Sequence, residues 1–182
     1  MFEKDIERVL ISAADIATRV RELGAALTED YAGRELLLIG LLKGSAVFLT
    51  DLGRQVSLPV YYDFMSVSSY GQGAVSSGEV IIKKDLSQTI EGCHVLVVED
   101  IVDTGYTLAH VLELLAQRKP ASLKVCALLD KPSCRKITVG LDYIGFSVPD
   151  EFLVGYGLDY AQRYRNLPYV GVLKPEVYRG GQ

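Results

Sequence analysis

Three almost unbroken aliphatic runs recur along this 182-residue chain, in "ELLLIGLL", "CHVLVVED" and "SLKVCALLD". Each is too uniformly apolar for a strand with one face in water, and too short for a typical helix. Between them lie segments whose apolar residues recur at helical spacing. Ile16, Val20, Leu23, Leu27 and Tyr31 precede the first run, and "SAVFLTDLGRQV" follows it. Leu108, Val111, Leu112 and Leu115 follow the second, in "YTLAHVLELLAQRK", which Pro120 ends. Strands buried on both faces and alternating with such helices predict an α/β chain with a central, mainly parallel sheet flanked by helices.

Local signals fill in the rest. Ser12 can cap the first helix, with Asp15 three residues on to complete a capping box. "VYYDFMSV" reads as a further strand, "SSYGQGAVSSGEV" as a Gly/Ser-rich loop or hairpin, and "VIIKKD" as the returning strand. "LDYIGFSV", "EFLVGYG" and "YVGVL" read as shorter strands near the C-terminus. There is no internal repeat, low-complexity tract or linker, so residues 1–182 are expected to form one domain.

Composition removes several function classes. A net charge of −4 carries no electrostatic footprint for nucleic acid. "LLLIGLL" is far too short to span a bilayer, and "MFEKDIERVL" mixes acids and bases too early for a signal peptide. The expectation is a cytoplasmic protein without membrane or nucleic-acid partners. Cys93, Cys126 and Cys134 are odd in number and form no Cys-x-x-Cys pair, so they are read as reduced thiols. His94 and His110 do not complete a zinc set at sensible spacing.

The chemistry concentrates in "VLVVEDIVDTGYTL". Glu99 and Asp100 end a buried strand, and Asp103-Thr104-Gly105-Tyr106-Thr107 turns into a helix. In parallel sheets ligands bind beyond the carboxyl ends of the strands. A helix N-terminus suits a phosphate, Gly105 allows close backbone approach, and Thr104 and Thr107 add hydroxyls. Ionised carboxylates only accept hydrogen bonds, so Glu99 and Asp100 should face sugar hydroxyls or a magnesium ion rather than the phosphate. A single such acid would be read as a solvated or capping group.

This stretch resembles the ribose-phosphate signature of the type I phosphoribosyltransferases. Four further segments, "LLKGSAVF", "SSYGQG", "LLDKPSCR" and "EFLVGYGLDYAQRYRNL", narrow the resemblance to their purine branch, the hypoxanthine-guanine phosphoribosyltransferase family. It covers about Ile6 to Leu173. The resemblance implies the type I phosphoribosyltransferase fold, with a small hood built from about residues 1–10 and 148–182 and a lid loop over about 66–80. It also implies a non-proline cis peptide at Leu42–Lys43.

The same resemblance assigns roles. Lys43, Gly44 and Arg165 would bind pyrophosphate, and backbone amides from Asp103 to Thr107 the 5′-phosphate. Glu99 and Asp100 would hold the ribose hydroxyls. Ser69 and Tyr70 would close as the lid. Lys131 would select a 6-oxopurine, Phe152 would stack on its ring, and Leu153 would offer main-chain groups. Arg135 would orient the neighbouring loop. Glu99, Asp100 and Asp159 would hold Mg2+, with Asp159 near the pyrophosphate. Asp103 is the candidate general base, although the same carboxylate could mainly orient the purine. The sequence departs from the family at Tyr106, where Lys or Asn can stand, and at Leu153, where valine is common. Both positions contribute backbone groups.

The implied activity joins phosphoribosyl pyrophosphate to hypoxanthine or guanine, giving IMP or GMP and pyrophosphate, in a homodimer or homotetramer. Two other readings compete. A regulator that kept the phosphoribosyl pyrophosphate pocket would carry a basic surface, and an orotate, adenine or xanthine enzyme would treat the base differently. A dinucleotide oxidoreductase fails because neither Gly-x-Gly-x-x-Gly nor Gly-x-x-x-x-Gly-Lys-Ser/Thr occurs.

Overall fold

The structure is a computed structural model, and it describes residues 3–69 and 80–179. In chain order the elements are β1 (Ile6–Ile11), α1 (Ala13–Asp30), β2 (Leu36–Leu41), α2 (Ala46–Gly53), β3 (Val60–Ser69), β4 (Val80–Lys84) and β5 (His94–Val102). Then follow α3 (Tyr106–Ala116), β6 (Ser122–Asp130), β7 (Tyr143–Ser147), β8 (Leu153–Val154), β9 (Val170–Leu173) and α4 (Pro175–Arg179).

The main sheet has the order β4-β3-β2-β5-β6-β7, with β4 the antiparallel edge and the other neighbours parallel. The expected α/β class and mainly parallel sheet are therefore present. A second sheet, β1-β9-β8, is antiparallel and drawn from both ends of the described chain.

The aliphatic runs are continuous because successive side chains enter different cores. Leu36, Leu38, Leu96, Val98, Cys126 and Leu128 face α1 and α2, where Ile16, Val20, Leu27, Phe48 and Leu52 pack. Leu37, Ile39, Val95, Val97, Val125 and Ala127 face the other way, onto Leu108, Val111 and Leu115 of α3. Burying each such side chain contributes roughly 1.5–3 kcal/mol, so both faces hold the sheet in place. Ile6, Val154, Tyr164 and Leu173 form a smaller core beneath the second sheet.

Ser12 caps α1 as read, and Asp15 reaches back to the Ser12 hydroxyl rather than to its N–H. Asp15 N–H donates to Ser12 Oγ at 3.1 Å, and that hydroxyl donates to Asp15 Oδ2 at 2.6 Å. The returning strand pairs antiparallel with β3 from Ser66↔Lys84 to Ser69↔Val80. At its base Asp63 is only 4% exposed and accepts from the N–H groups of Phe64 and Ser87. No helix among the described residues is long and apolar enough to cross a membrane.

Candidate active site

The expected site residues converge where β2, β5 and β6 end and the 148–167 segment folds over them. Beyond Glu99 and Asp100 the chain runs into the first turn of α3, whose N-cap is Gly105 at φ +90°. That left-handed φ favours glycine, and a Cβ there would lie 2.7 Å from the carbonyl oxygen of Ile137. No side chain caps this helix, so its first-turn amides are left for another partner. Glu99, Asp103, Thr104, Gly105 and Thr107 line one cavity of about 110 Å³, together with Ile101. Tyr106 points away and is 42% exposed, as suits a residue contributing only its backbone.

The two acids differ from Asp103 in their setting. Glu99 is buried, and burial, reinforced by neighbouring Asp100, pushes its pKa well above the usual carboxylate range. Burial also pushes Asp100 up to about 6, against the opposing pull of backbone N–H groups and Arg165. Neither acid has an ion pair among the described residues. Adjacent buried carboxylates with no cation between them are a setting that a hard cation or a pair of hydroxyl donors would relieve.

On one flank stands the β2–α2 loop, with a cis peptide at Leu42–Lys43 as expected. Gly44 is buried so closely against Asp100 that a Cβ would overlap the carboxylate. Lys43 Nζ donates to Gln162 Oε1 at 3.0 Å. Arg165 donates to the Gly157 carbonyl at 2.7 Å and pairs with Asp159 at 2.6 Å. The 157–165 loop thus brings Arg165 to the Lys43 side of the site.

The other flank carries the base-side residues. Lys131, 8% exposed at the end of β6, reaches Asp150 Oδ1 at 3.3 Å. Arg135 pairs with Asp130, and the loop behind it donates to Thr104 O from Lys136 N (2.9 Å) and Ile137 N (3.1 Å). Arg135 is thus anchored to the end of β6, next to the loop whose backbone bonds to Thr104. Phe152 is 37% exposed, and Leu153 is buried and paired with Val172.

No group of three metal-ligating side chains occurs among the described residues. Asp159 is instead engaged by Arg165 and by the Gln162 N–H at 2.8 Å, which neutralises it locally. Tyr70 and most of the 66–80 lid lie outside the described residues, and Ser69 is the last residue of β3. The three cysteines are free, and burial pushes the Cys126 thiol up to about 12, so it is inert packing.

Sequence reading missed Gln162, Asp150 and Ile101. Gln162 sits in "DYAQRYR" with no helical periodicity to place it beside Lys43, which is 119 positions away. Ile101 reads as a spacer between acids, yet it lines the cavity.

A doubly wound sheet with a phosphate-type helix start, paired acids and a basic flank defines a phosphoribosyl transferase domain, and that family matches residues 11–161. The chain is 54% identical over 178 residues to hypoxanthine-guanine phosphoribosyltransferase of Bacillus subtilis, covering 98% of this chain and 99% of that protein. It is also 55% identical over 174 residues to the bifunctional protein TilS/HprT of Listeria monocytogenes, but spans only 27% of that protein's length. A crystal structure of a hypoxanthine phosphoribosyltransferase from Staphylococcus aureus matches with TM-score 0.95 at 51% identity, over 97% of this chain and 96% of that one. The chain belongs to the hypoxanthine-guanine phosphoribosyltransferase family.

Proposed function

We propose that this protein transfers the 5-phosphoribosyl group of phosphoribosyl pyrophosphate to N9 of hypoxanthine or guanine. The products are IMP or GMP and pyrophosphate, and the reaction serves purine salvage in the cytoplasm. The observation that supports this reading is an uncapped helix start beyond two buried acids, with Lys131 held at the end of the neighbouring strand by its N–H to the Val102 carbonyl at 3.0 Å. Kinship to proteins named for this activity supports it.

In this mechanism the first-turn amides of α3 and the hydroxyls of Thr104 and Thr107 hold the 5′-phosphate. Glu99 and Asp100 accept from the ribose hydroxyls. Lys43, Gly44 and Arg165 take the pyrophosphate; Arg165 suits this because its guanidinium presents a planar fork of donors. Lys131 donates to the 6-oxo group of the base, and Phe152 stacks on its ring. The bond from C1′ to the pyrophosphate oxygen breaks as the N9 lone pair forms the new bond to C1′. Positive charge develops on the ribose in between, where nearby carboxylates stabilise it more than the ground state. Asp103 accepts the N7 proton. Ser69 and Tyr70 would close over the centre and exclude water.

Magnesium fits the chain's donors in a limited way. Glu99 and Asp100 are oxygen ligands without a counter-cation, and magnesium is ordinarily held by one or two carboxylates plus substrate oxygens. Asp159 would join them only by loosening its pair with Arg165. When bound, the ion neutralises the leaving pyrophosphate. A homodimer or homotetramer is the assembly that the sequence resemblance implies.

The deciding assay incubates the protein with phosphoribosyl pyrophosphate, magnesium and each of hypoxanthine, guanine, xanthine and adenine. Nucleotide is expected from hypoxanthine and guanine, and absence of product from every 6-oxopurine would sink the proposal. A parallel gel shift with operator DNA or leader RNA tests the regulator reading and is expected to show no complex.

A further inference from the structure

We infer that Tyr178, near the end of the described chain, is a positioning residue for the purine base: it backs the Phe152 ring and so fixes the plane on which the base stacks. The inference rests on the base-binding role of Phe152 set out above.

Phe152 is 37% exposed, so its backbone position alone does not hold the ring. Two other aromatic side chains do. The Tyr178 ring lies nearly parallel to it, with centroids 4.8 Å apart and an interplanar angle of 20°. The Tyr160 ring meets it edge-on, at 5.5 Å and 87°. A near-parallel stack and an edge contact are favoured aromatic geometries, and together they restrict ring rotation. The exposed part of Phe152 is what a ligand could meet.

The three rings come from separate segments whose backbones are tied together. Leu173 N–H donates to the Phe152 carbonyl at 2.8 Å, and Leu153 pairs with Val172. β9 therefore delivers the chain directly beside Phe152. Val177 N–H then donates to the Lys174 carbonyl at 3.0 Å, turning the chain into α4 and bringing Tyr178 back over the ring. Lys174 N–H in turn donates to the Asp5 carbonyl at 3.0 Å, so the start of the chain braces the same turn. Arg179 lies 5.8 Å over the Tyr178 ring and adds a cation–π contact.

The energetic consequence is selective. A half-exposed Phe without its backing ring populates several rotamers, and the base binds only the competent fraction. Losing one aromatic stack is expected to raise the KM for the base about 5-fold. The KM for phosphoribosyl pyrophosphate should stay within about 2-fold, since its proposed contacts lie on other segments. A residue that merely stabilised the fold would move both.

The test compares wild type, Tyr178→Phe, Tyr178→Leu and Tyr178→Ala for KM of hypoxanthine, KM of phosphoribosyl pyrophosphate, kcat and melting temperature. Support is a base-specific rise in KM for the Leu and Ala variants, with the Phe variant near wild type because it keeps the stack. Equal rises in both KM values, or a base KM unchanged in all variants, would overturn the inference. A base KM that falls in Tyr178→Ala would also overturn it, by showing that Tyr178 covers the face the base needs. If Tyr178→Ala does not fold, the Phe and Leu pair decides by the same criteria. A wild-type protein inactive with every 6-oxopurine would instead remove the functional reading beneath it.

Discussion

Gly44 is packed against the carboxylate of Asp100 so tightly that any β-carbon at position 44 would overlap Oδ2. The contact joins the end of β5 to the loop between β2 and α2. Gly44→Ala should therefore push the Lys43 loop away from Asp100 or displace the acid. Overpacking of this kind costs about 1–3 kcal/mol, and the larger loss should be functional. We expect kcat/KM for phosphoribosyl pyrophosphate to fall by about 100-fold or more, since misplacement by about an ångström has that effect. Steady-state kinetics beside a thermal melt checks this, and near-wild-type turnover would show that the loop can yield freely.

Asp103→Asn should lower turnover far more than affinity. Removing a positioned general base costs about 10²–10⁴-fold in rate, while the amide keeps nearly the same shape and can still orient the purine. If kcat and KM suffer equally, orientation rather than proton acceptance is the role of Asp103.

Lys131 is almost buried, with Asp150 as its recorded ionic partner. Lys131→Gln removes the charge that would meet a 6-oxo group. A hydrogen bond to a charged donor is worth about 1.5–3 kcal/mol, so kcat/KM for hypoxanthine and guanine should drop about 10–100-fold. Discrimination against adenine should shrink by a similar factor, measured as the ratio of the two specificity constants. Unchanged discrimination would move base selection elsewhere.

The raised pKa of Asp100 has a definite sign for stability. Its folded value of about 6 lies above the ordinary carboxylate value, so the native state binds the proton more tightly than the unfolded chain does. Stability should accordingly decline as pH rises from about 4 to about 6 and level off beyond. Asp100→Asn should remove that decline and stabilise the ligand-free protein by about 1–3 kcal/mol near neutral pH, while lowering activity. Glu99, also raised by burial and by Asp100, should act in the same sense. Melting curves across this range decide it, and a wild-type stability that rises steadily would count against the buried setting of the pair.

Asp63 has the opposite sign. Burial works to raise its pKa but is outweighed by the N–H groups of Phe64 and Ser87, the Ser87 hydroxyl and Lys84, which hold it low. Its contribution is present above the unfolded carboxylate range and is lost as pH falls through the lowered native value. Asp63→Asn should cost about 1–3 kcal/mol near neutral pH, read from denaturant midpoints, with the difference from wild type narrowing in acid. A neutral outcome would mean that the β3–β4 base is held by its ladder alone.

The sheet was legible because its signal is local and repeated. Leu36 to Leu41, His94 to Val102 and Ser122 to Asp130 each carry side chains into two separate cores, so no polar face interrupts them. Ser12 and Asp15 marked the start of α1 because their capping contacts close within four residues. The acids and the phosphate-type turn were legible for the same reason, being contiguous from Glu99 to Thr107.

Sequence alone was therefore enough for the α/β class, the strand ends at which a site should form, and the residue types that gather there. Tertiary structure decided everything set by distant pairs. It placed Gln162 against Lys43, turned Asp159 toward Arg165, and laid Tyr178 on Phe152. The physical reason is that periodicity and capping report on neighbours along the chain. The pKa of a buried acid, the partner of a lysine and the tilt of a ring depend on what other segments bring within a few ångströms.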